Sequence, residues 1–283
     1  MWIEAEMGSK TTIPFSDSDI LFLVETVEPR LADRIDTFKD DPVIVEGMLE
    51  QEAERVFQRI TTMGEEVLAR ISPRFLFEVL LRKTRREIES QKYTVERTAT
   101  QRVPVFDANQ VAEFLANRSV LTYLADMLTS FVRIESYVVT TRVRKGIWRK
   151  LRFNDMDIDC LTEMCQAVDE EYRFGFYKRI ADVCLFISGM YPEYAAFDYR
   201  YPSLGEARPS FTRRLRRDMA DYEEEGRRFY KLAAEHQSAR LLELSEVFWL
   251  LHGNFAVAKK PLNFMSEHYL QHRKSTLFGL RGE

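Results

Sequence analysis

Histidine is scarce in this chain and confined to one stretch. All 4 histidines lie between Phe211 and His272. His268 and His272 form an i, i+4 pair, which shares one face of a helix. Glu267 adjoins His268, and Glu235 adjoins His236. Imidazole and carboxylate together suit iron, manganese or zinc. A di-iron bundle, however, draws Glu-x-x-His from two helices. Here each Glu is next to its His, so the two side chains diverge by about 100° on a helix. His-Glu-x-x-His is absent as well. His236 and His252 sit beside apolar stripes, where a hydrogen-bonded core histidine is the ordinary outcome. His236, Glu267, His268 and His272 are therefore weak metal candidates, and no metal or cofactor is expected.

Positive charge is the second pattern. Arg142, Arg144, Lys145, Arg149, Lys150 and Arg152 form a run with Trp148 inside it. Cations neutralise phosphates and an aromatic can stack on an unpaired base. Arg208, Arg213, Arg214, Arg216 and Arg217 follow a loop rich in tyrosine, including Tyr199 and Tyr201. Brought together, the clusters would make a phosphate-binding face. Kept apart, they are solvated edges balanced by Asp155, Asp157, Asp159 and by Glu223 to Glu225, and that is the plainer reading. Candidate binding residues are thus Arg144, Lys145, Trp148, Arg149, Tyr199, Tyr201, Arg213, Arg214, Arg216 and Arg217.

Other chemistries find less. Asp155, Asp157 and Asp159 resemble the opening of a calcium loop, but Cys160 stands where that loop needs Gly and Gln166 where it needs Glu. Helix capping explains the acids better. Cys160, Cys165 and Cys184 lack the Cys-x-x-Cys spacing of zinc or redox sites. No Gly-rich phosphate loop, Gly-x-Ser-x-Gly elbow or kinase signature appears.

Helices must position these residues. Met219, Tyr222, Gly226, Phe229, Tyr230 and Ala233 recur at helical spacing, and Leu241, Leu244, Phe248, Leu251 and Phe255 repeat the pattern. Gly253-Asn254 reads as a left-handed helix stop. A further helix is expected after Lys260, with Pro261 in its first turn. Leu241, Leu244, Phe248, Gly253, Phe255, Ala258 and Leu262 resemble one tetratricopeptide-type helix pair. Ser245 stands where that family has Gly or Ala, and no second copy follows. The resemblance implies an αα-hairpin of a kind often used to bind partners.

Earlier in the chain, Asp17 and Asp19 can cap a helix that Pro29 divides. Asp41-Pro42 and Ser72-Pro73 start two more. The β-branched runs from 91 to 106 and from Tyr137 to Val143 suit extended chain and could pair with each other as one ribbon. A long helical pattern follows Asp159 to about Gly189, bent at Gly175.

The 283 residues are 45% hydrophobic and 30% charged, with a net charge of -4. That composition permits a sizeable core and gives no global field for nucleic acid. Three cysteines, an acidic start and no long uncharged apolar run lead to an expected cytoplasmic, soluble protein without secretory signal or membrane span.

The fold expected is mostly all-α: an irregular multi-helix bundle or helical-hairpin array with at most one small two-stranded β ribbon. It is read as a single helical globule over 1–283. N-terminal helices cover about 17–90, a central segment with the ribbon about 91–154, a long helix and Tyr-rich loop about 155–210, and a three-helix unit about 211–276. The expected function is a non-enzymatic protein-interaction, scaffold or regulatory role. The alternatives are a helical nucleic-acid binder using Arg/Lys/Trp patches and a helical-bundle enzyme using a metal or cofactor. The expected partner is another protein, with nucleic acid and a homo-oligomer as further options.

Overall fold

A computed structural model describes residues 15–97, 102–132, 136–144, 147–192, 217–271, 273 and 277–278. The fold is mostly α-helical. The chain divides into two compact units, Met1–Arg86 and Glu87–Glu283.

The first unit is built on three longer helices. α1 (Asp17–Val27) is capped by Ser16 rather than by Asp17, and Asp19 completes a capping box. Pro29 opens a short 3-10 turn (Pro29–Arg34), followed by α2 (Ile35–Lys39). Asp41 caps α3 (Pro42–Met63), accepting from Val43 N at 3.0 Å and Ile44 N at 3.1 Å. Val45, Leu49, Ala53, Val56 and Ile60 form its buried stripe, and α1 packs on it. α4 (Pro73–Ser90) begins after Ser72.

One buried carboxylate ties two helix starts together. Asp19 accepts from Ser16 N at 2.9 Å and from Ser72 N at 2.6 Å. It also accepts both serine hydroxyls, each at 2.8 Å. Arg82 on α4 is likewise buried and pairs with Glu78 and Glu46, with Glu50 at 3.2 Å from its Nε. The structure buries it because three glutamates from α3 and α4 converge on it.

The second unit packs around α8 (Phe174–Met190), whose residues from Ile180 to Met190 are all buried. α9 (Met219–Glu235) and α12 (Phe255–His268) lie against it. Between them run α10 (Gln237–Leu241) and α11 (Ser245–Gly253). α5 (Ala108–Ala116) and α6 (Arg118–Ser130) precede α7 (Ile158–Ala167). Two glycines allow the close approach. A Cβ on Gly226 of α9 would stand 2.6 Å from Phe255 Cζ and 2.9 Å from Cys184 Cβ. One on Gly189 would stand 2.7 Å from Leu262 Cβ.

Several expectations need correcting. Among the described residues the two extended runs do not pair with each other, and there are two ribbons rather than one. β1 (Thr94–Arg97) pairs with β2 (Arg102–Val105), and β3 (Ser136–Arg144) with β4 (Ile147–Asn154), both antiparallel. Each is a local hairpin, and β4 lies within the basic run. The long helix after Asp159 is two helices, broken by a 3-10 turn at Glu170–Tyr172 rather than bent at Gly175. A helix does stop at Gly253-Asn254, but not in the left-handed conformation, since Asn254 has φ -120; the left-handed closure is at Glu243 (φ 59), after α10. There Leu244 N donates to Ala239 O at 2.8 Å, a Schellman closure. Leu241 is consequently turned out to solvent and leaves the expected stripe. Pro261 lies inside α12 instead of starting it. An interior proline costs about 3 kcal/mol, and the fully buried Phe255, Ala258, Leu262 and Met265 stripe offsets it. Among the described residues, no helix is long and apolar enough to cross a membrane.

Candidate functional site

In the second unit, the β1–β2 hairpin stands beside α12 and encloses an open groove of about 1070 Å³. Its root is Asp107, the residue before α5. Thr94 Oγ1 donates to Asp107 Oδ1 at 2.5 Å, and Lys260 of α12 pairs with the other oxygen. This carboxylate joins β1, α5 and α12, and Lys260 is buried by the contact. Beneath it, Ile88, Ala108, Val111 and Ala112 cluster with Val257 and Phe264.

The hairpin's groove face is apolar. Val95 pairs with Pro104 in register, and strand alternation puts Tyr93 and Phe106 on the same side. The Tyr93 and Phe106 rings meet edge-on at 6.3 Å. Phe106 nevertheless remains 82% exposed. From α12, Phe264 stacks on His268, with centroids 4.0 Å apart. His268 Nδ1 is 2.9 Å from Phe264 O. His268 therefore belongs to an aromatic groove wall, as does Glu267 to its rim. The sequence reading missed this surface, although the β-branched run carried the signal.

The metal candidates do not assemble. Among the described residues no three His, Cys, Asp or Glu side chains gather where they could share an ion. His236 uses both ring nitrogens. Nδ1 accepts from Ser238 N at 3.1 Å, which leaves Nε2 to donate to Glu170 O at 3.0 Å. It caps α10. Glu235 lies 3.9 Å from Lys231 on the same helix. His272 lies outside the described residues.

Of the binding candidates, Arg144, Trp148 and Arg149 fall in the β3–β4 ribbon. Arg217 is held by Asp159 at 2.6 Å and by Glu225 at 2.5 Å, so its charge is met locally. Lys145, Tyr199, Tyr201, Arg213, Arg214 and Arg216 lie outside the described residues. The three acids of the calcium reading are separated by their duties. Asp155 pairs with Arg179 at 2.5 Å, Asp157 caps α7 through Cys160 N at 3.3 Å, and Asp159 holds Arg217. Burial pushes the thiols of Cys165 and Cys184 up, which disfavours the reactive thiolate.

A buried polar network was also missed. Tyr123 of α6 and Tyr230 of α9 both donate to Asp182 Oδ1 of α8, at 2.6 and 2.9 Å. Lys178 Nζ reaches the other oxygen at 3.0 Å. Burial, then the Asp182 charge, push both phenols well above their ordinary range. The two phenols and the carboxylate are buried, and they act as internal ties. The i, i+4 spacing of Lys178 and Asp182 was the one visible hint. Compared with known protein families, curated proteins and solved structures, the chain matches none of them.

Proposed function

We propose that this chain is a non-enzymatic interaction protein, a scaffold or regulator working in the cytoplasm, and that the aromatic face of the β1–β2 hairpin is its contact surface. The observation that carries the reading is Phe106, a phenylalanine left 82% exposed beside exposed Tyr93 and Val95 at the mouth of an apolar groove. Exposed aromatics with a polar rim are what anchor protein contacts. The hairpin is braced by Asp107 from below, so the face is held rather than collapsed onto α12. A partner would bury these rings and gain the area that folding leaves in water.

Affinity enrichment with the wild type and a Tyr93→Ser/Phe106→Ser variant tests it, read by quantitative mass spectrometry. The expected result is a protein retained by the wild type and lost with the variant. An identical set of retained proteins would sink the reading.

A further inference from the structure

On the solvent side of α9 and α11 a shallow concavity of about 570 Å³ opens. Glu223, Glu224, Arg227, Arg228 and Lys231 line it from α9, and His252 from the last turn of α11. Positions three and four apart share one helix face, which is why these α9 residues form a single wall. Two of the side chains hold each other. Arg227 Nε donates to His252 O at 3.1 Å, and His252 Nδ1 stands 2.9 Å from Arg227 O. A carbonyl oxygen only accepts, so Nδ1 carries its hydrogen and Nε2 is left as the open ring nitrogen.

This mutual clamp sets both side chains without using their remaining donors. Among the described residues, the two terminal nitrogens of Arg227 and Nε2 of His252 have no partner. The neighbouring cations are also loosely held. Arg228 lies 3.7 Å from Glu225 and is 62% exposed, and Lys231 lies 3.9 Å from Glu235 and is 51% exposed. Long, wet ion pairs of this kind cancel little charge. Of the two carboxylates on the wall, Glu223 is taken by Lys259. Glu224 is exposed and has no partner among the described residues. The concavity therefore sets three cations and an imidazole against one open carboxylate.

We infer that this concavity binds a phosphate monoester, with the Arg227 fork and His252 Nε2 on the phosphoryl oxygens and Arg228 and Lys231 adding charge at the rim. The chemistry of the open groups selects phosphate among anions. The planar guanidinium fork matches two phosphoryl oxygens at once. A third oxygen remains for Nε2, whereas a carboxylate is spent on the fork alone. A phosphate monoester exchanges its second proton at about pH 6. Nε2 can then accept from P–O–H or, when protonated, donate to P–O⁻. Sulfate has no such proton to offer at neutral pH. The concavity is larger than one phosphoryl group and leaves room for what carries it, a phosphorylated side chain of another protein or a small phosphate ester. This site lies on a face other than the β1–β2 hairpin and does not rest on the protein contact proposed there.

The test is isothermal titration calorimetry of the full chain at low salt against a short phosphoserine peptide and against inorganic phosphate. Sulfate and the same peptide with Glu in place of phosphoserine are the controls. Arg227→Lys keeps the charge but loses the fork and should weaken phosphate binding about 10-fold. Glu224→Gln removes the one open carboxylate and should tighten it about 3-fold, a gain that a damaged fold would not produce. Tyr93→Ser/Phe106→Ser should leave it unchanged. A peptide bound at least about 10-fold more tightly than inorganic phosphate supports a phosphorylated protein as the source, and equal affinities support a small phosphate. Failure of both probes to bind the wild type would overturn the inference. So would sulfate or the Glu peptide binding as tightly as its phosphate counterpart, or affinities unaltered in both Arg227→Lys and Glu224→Gln.

Discussion

Tyr230 and Asp182 meet across two helices in the dry centre of the second unit. The phenol of α9 donates to the carboxylate of α8 at 2.9 Å, and both residues are 0% exposed. Tyr123 donates to the same oxygen. Replacing Asp182 by Ala would strand two buried hydroxyls. Each stranded group costs about 1–3 kcal/mol, so urea denaturation should report a loss of about 3 kcal/mol. Asp182→Asn keeps an acceptor and should lose less. Equal effects of the two variants would contradict the account.

The same network sets an alkaline limit. Both phenols have folded pKa values raised above the unfolded value near 10. The folded state then holds protons that the unfolded chain releases, so the stabilisation is complete below pH 10 and declines as pH rises past it. Each tyrosine contributes up to about 1.4 kcal/mol per pH unit. Thermal melts between pH 8 and 11 should fall steeply only above about 10, and Tyr123→Phe/Tyr230→Phe should flatten the fall.

Two glycines should respond to alanine in opposite directions. A Cβ at Gly226 would press on Phe255 and Cys184, whereas one at Gly47 of α3 would meet nothing within 4 Å. Overpacking costs about 1–3 kcal/mol, and removing a helical glycine in open space gains up to about 1 kcal/mol. Differential scanning calorimetry should show a lower Tm for Gly226→Ala and a higher one for Gly47→Ala. A shift of the same sign in both would refute the packing argument.

Arg82 offers a sharper comparison. It is 1% exposed and meets Glu78, which is equally buried. Arg82→Ala leaves that buried carboxylate to Arg74, 3.7 Å away, and should cost about 3 kcal/mol. A double replacement, Arg82→Met with Glu78→Leu, removes both charges and should recover much of the loss. Chemical denaturation of the two variants decides between these outcomes.

Much of the architecture was legible from short spacings. Tyr222, Gly226, Phe229 and Ala233 marked α9, because an amphipathic helix writes its buried face into neighbouring residues. Asp41 and Ser72-Pro73 marked helix starts for the same reason, since caps act within one turn. Asp19 does join the cap of α1, as the N3 member of a capping box, but the N-cap itself is Ser16 and not Asp17. The extended runs were recognised, but their pairing was assigned to each other. A hairpin closes over a few residues at less entropic cost than a long loop.

The candidate site was barely legible. The adjacent Glu and His residues drew attention to metal chemistry, and packing put His236 to work as a cap and His268 on a phenylalanine. Sequence alone determined the mostly helical class, the positions of the main helices and the one-signed charge of the run from Arg142 to Arg152. Tertiary structure alone decided that Asp182 would bind tyrosines 59 and 48 positions away, that Pro261 would lie inside a helix, and that Phe106 would stay in water. Periodicity and capping are governed by residues within a turn or two of one another. Burial of a polar group or exposure of an aromatic depends on which distant surfaces meet, and that is settled only when the helices pack.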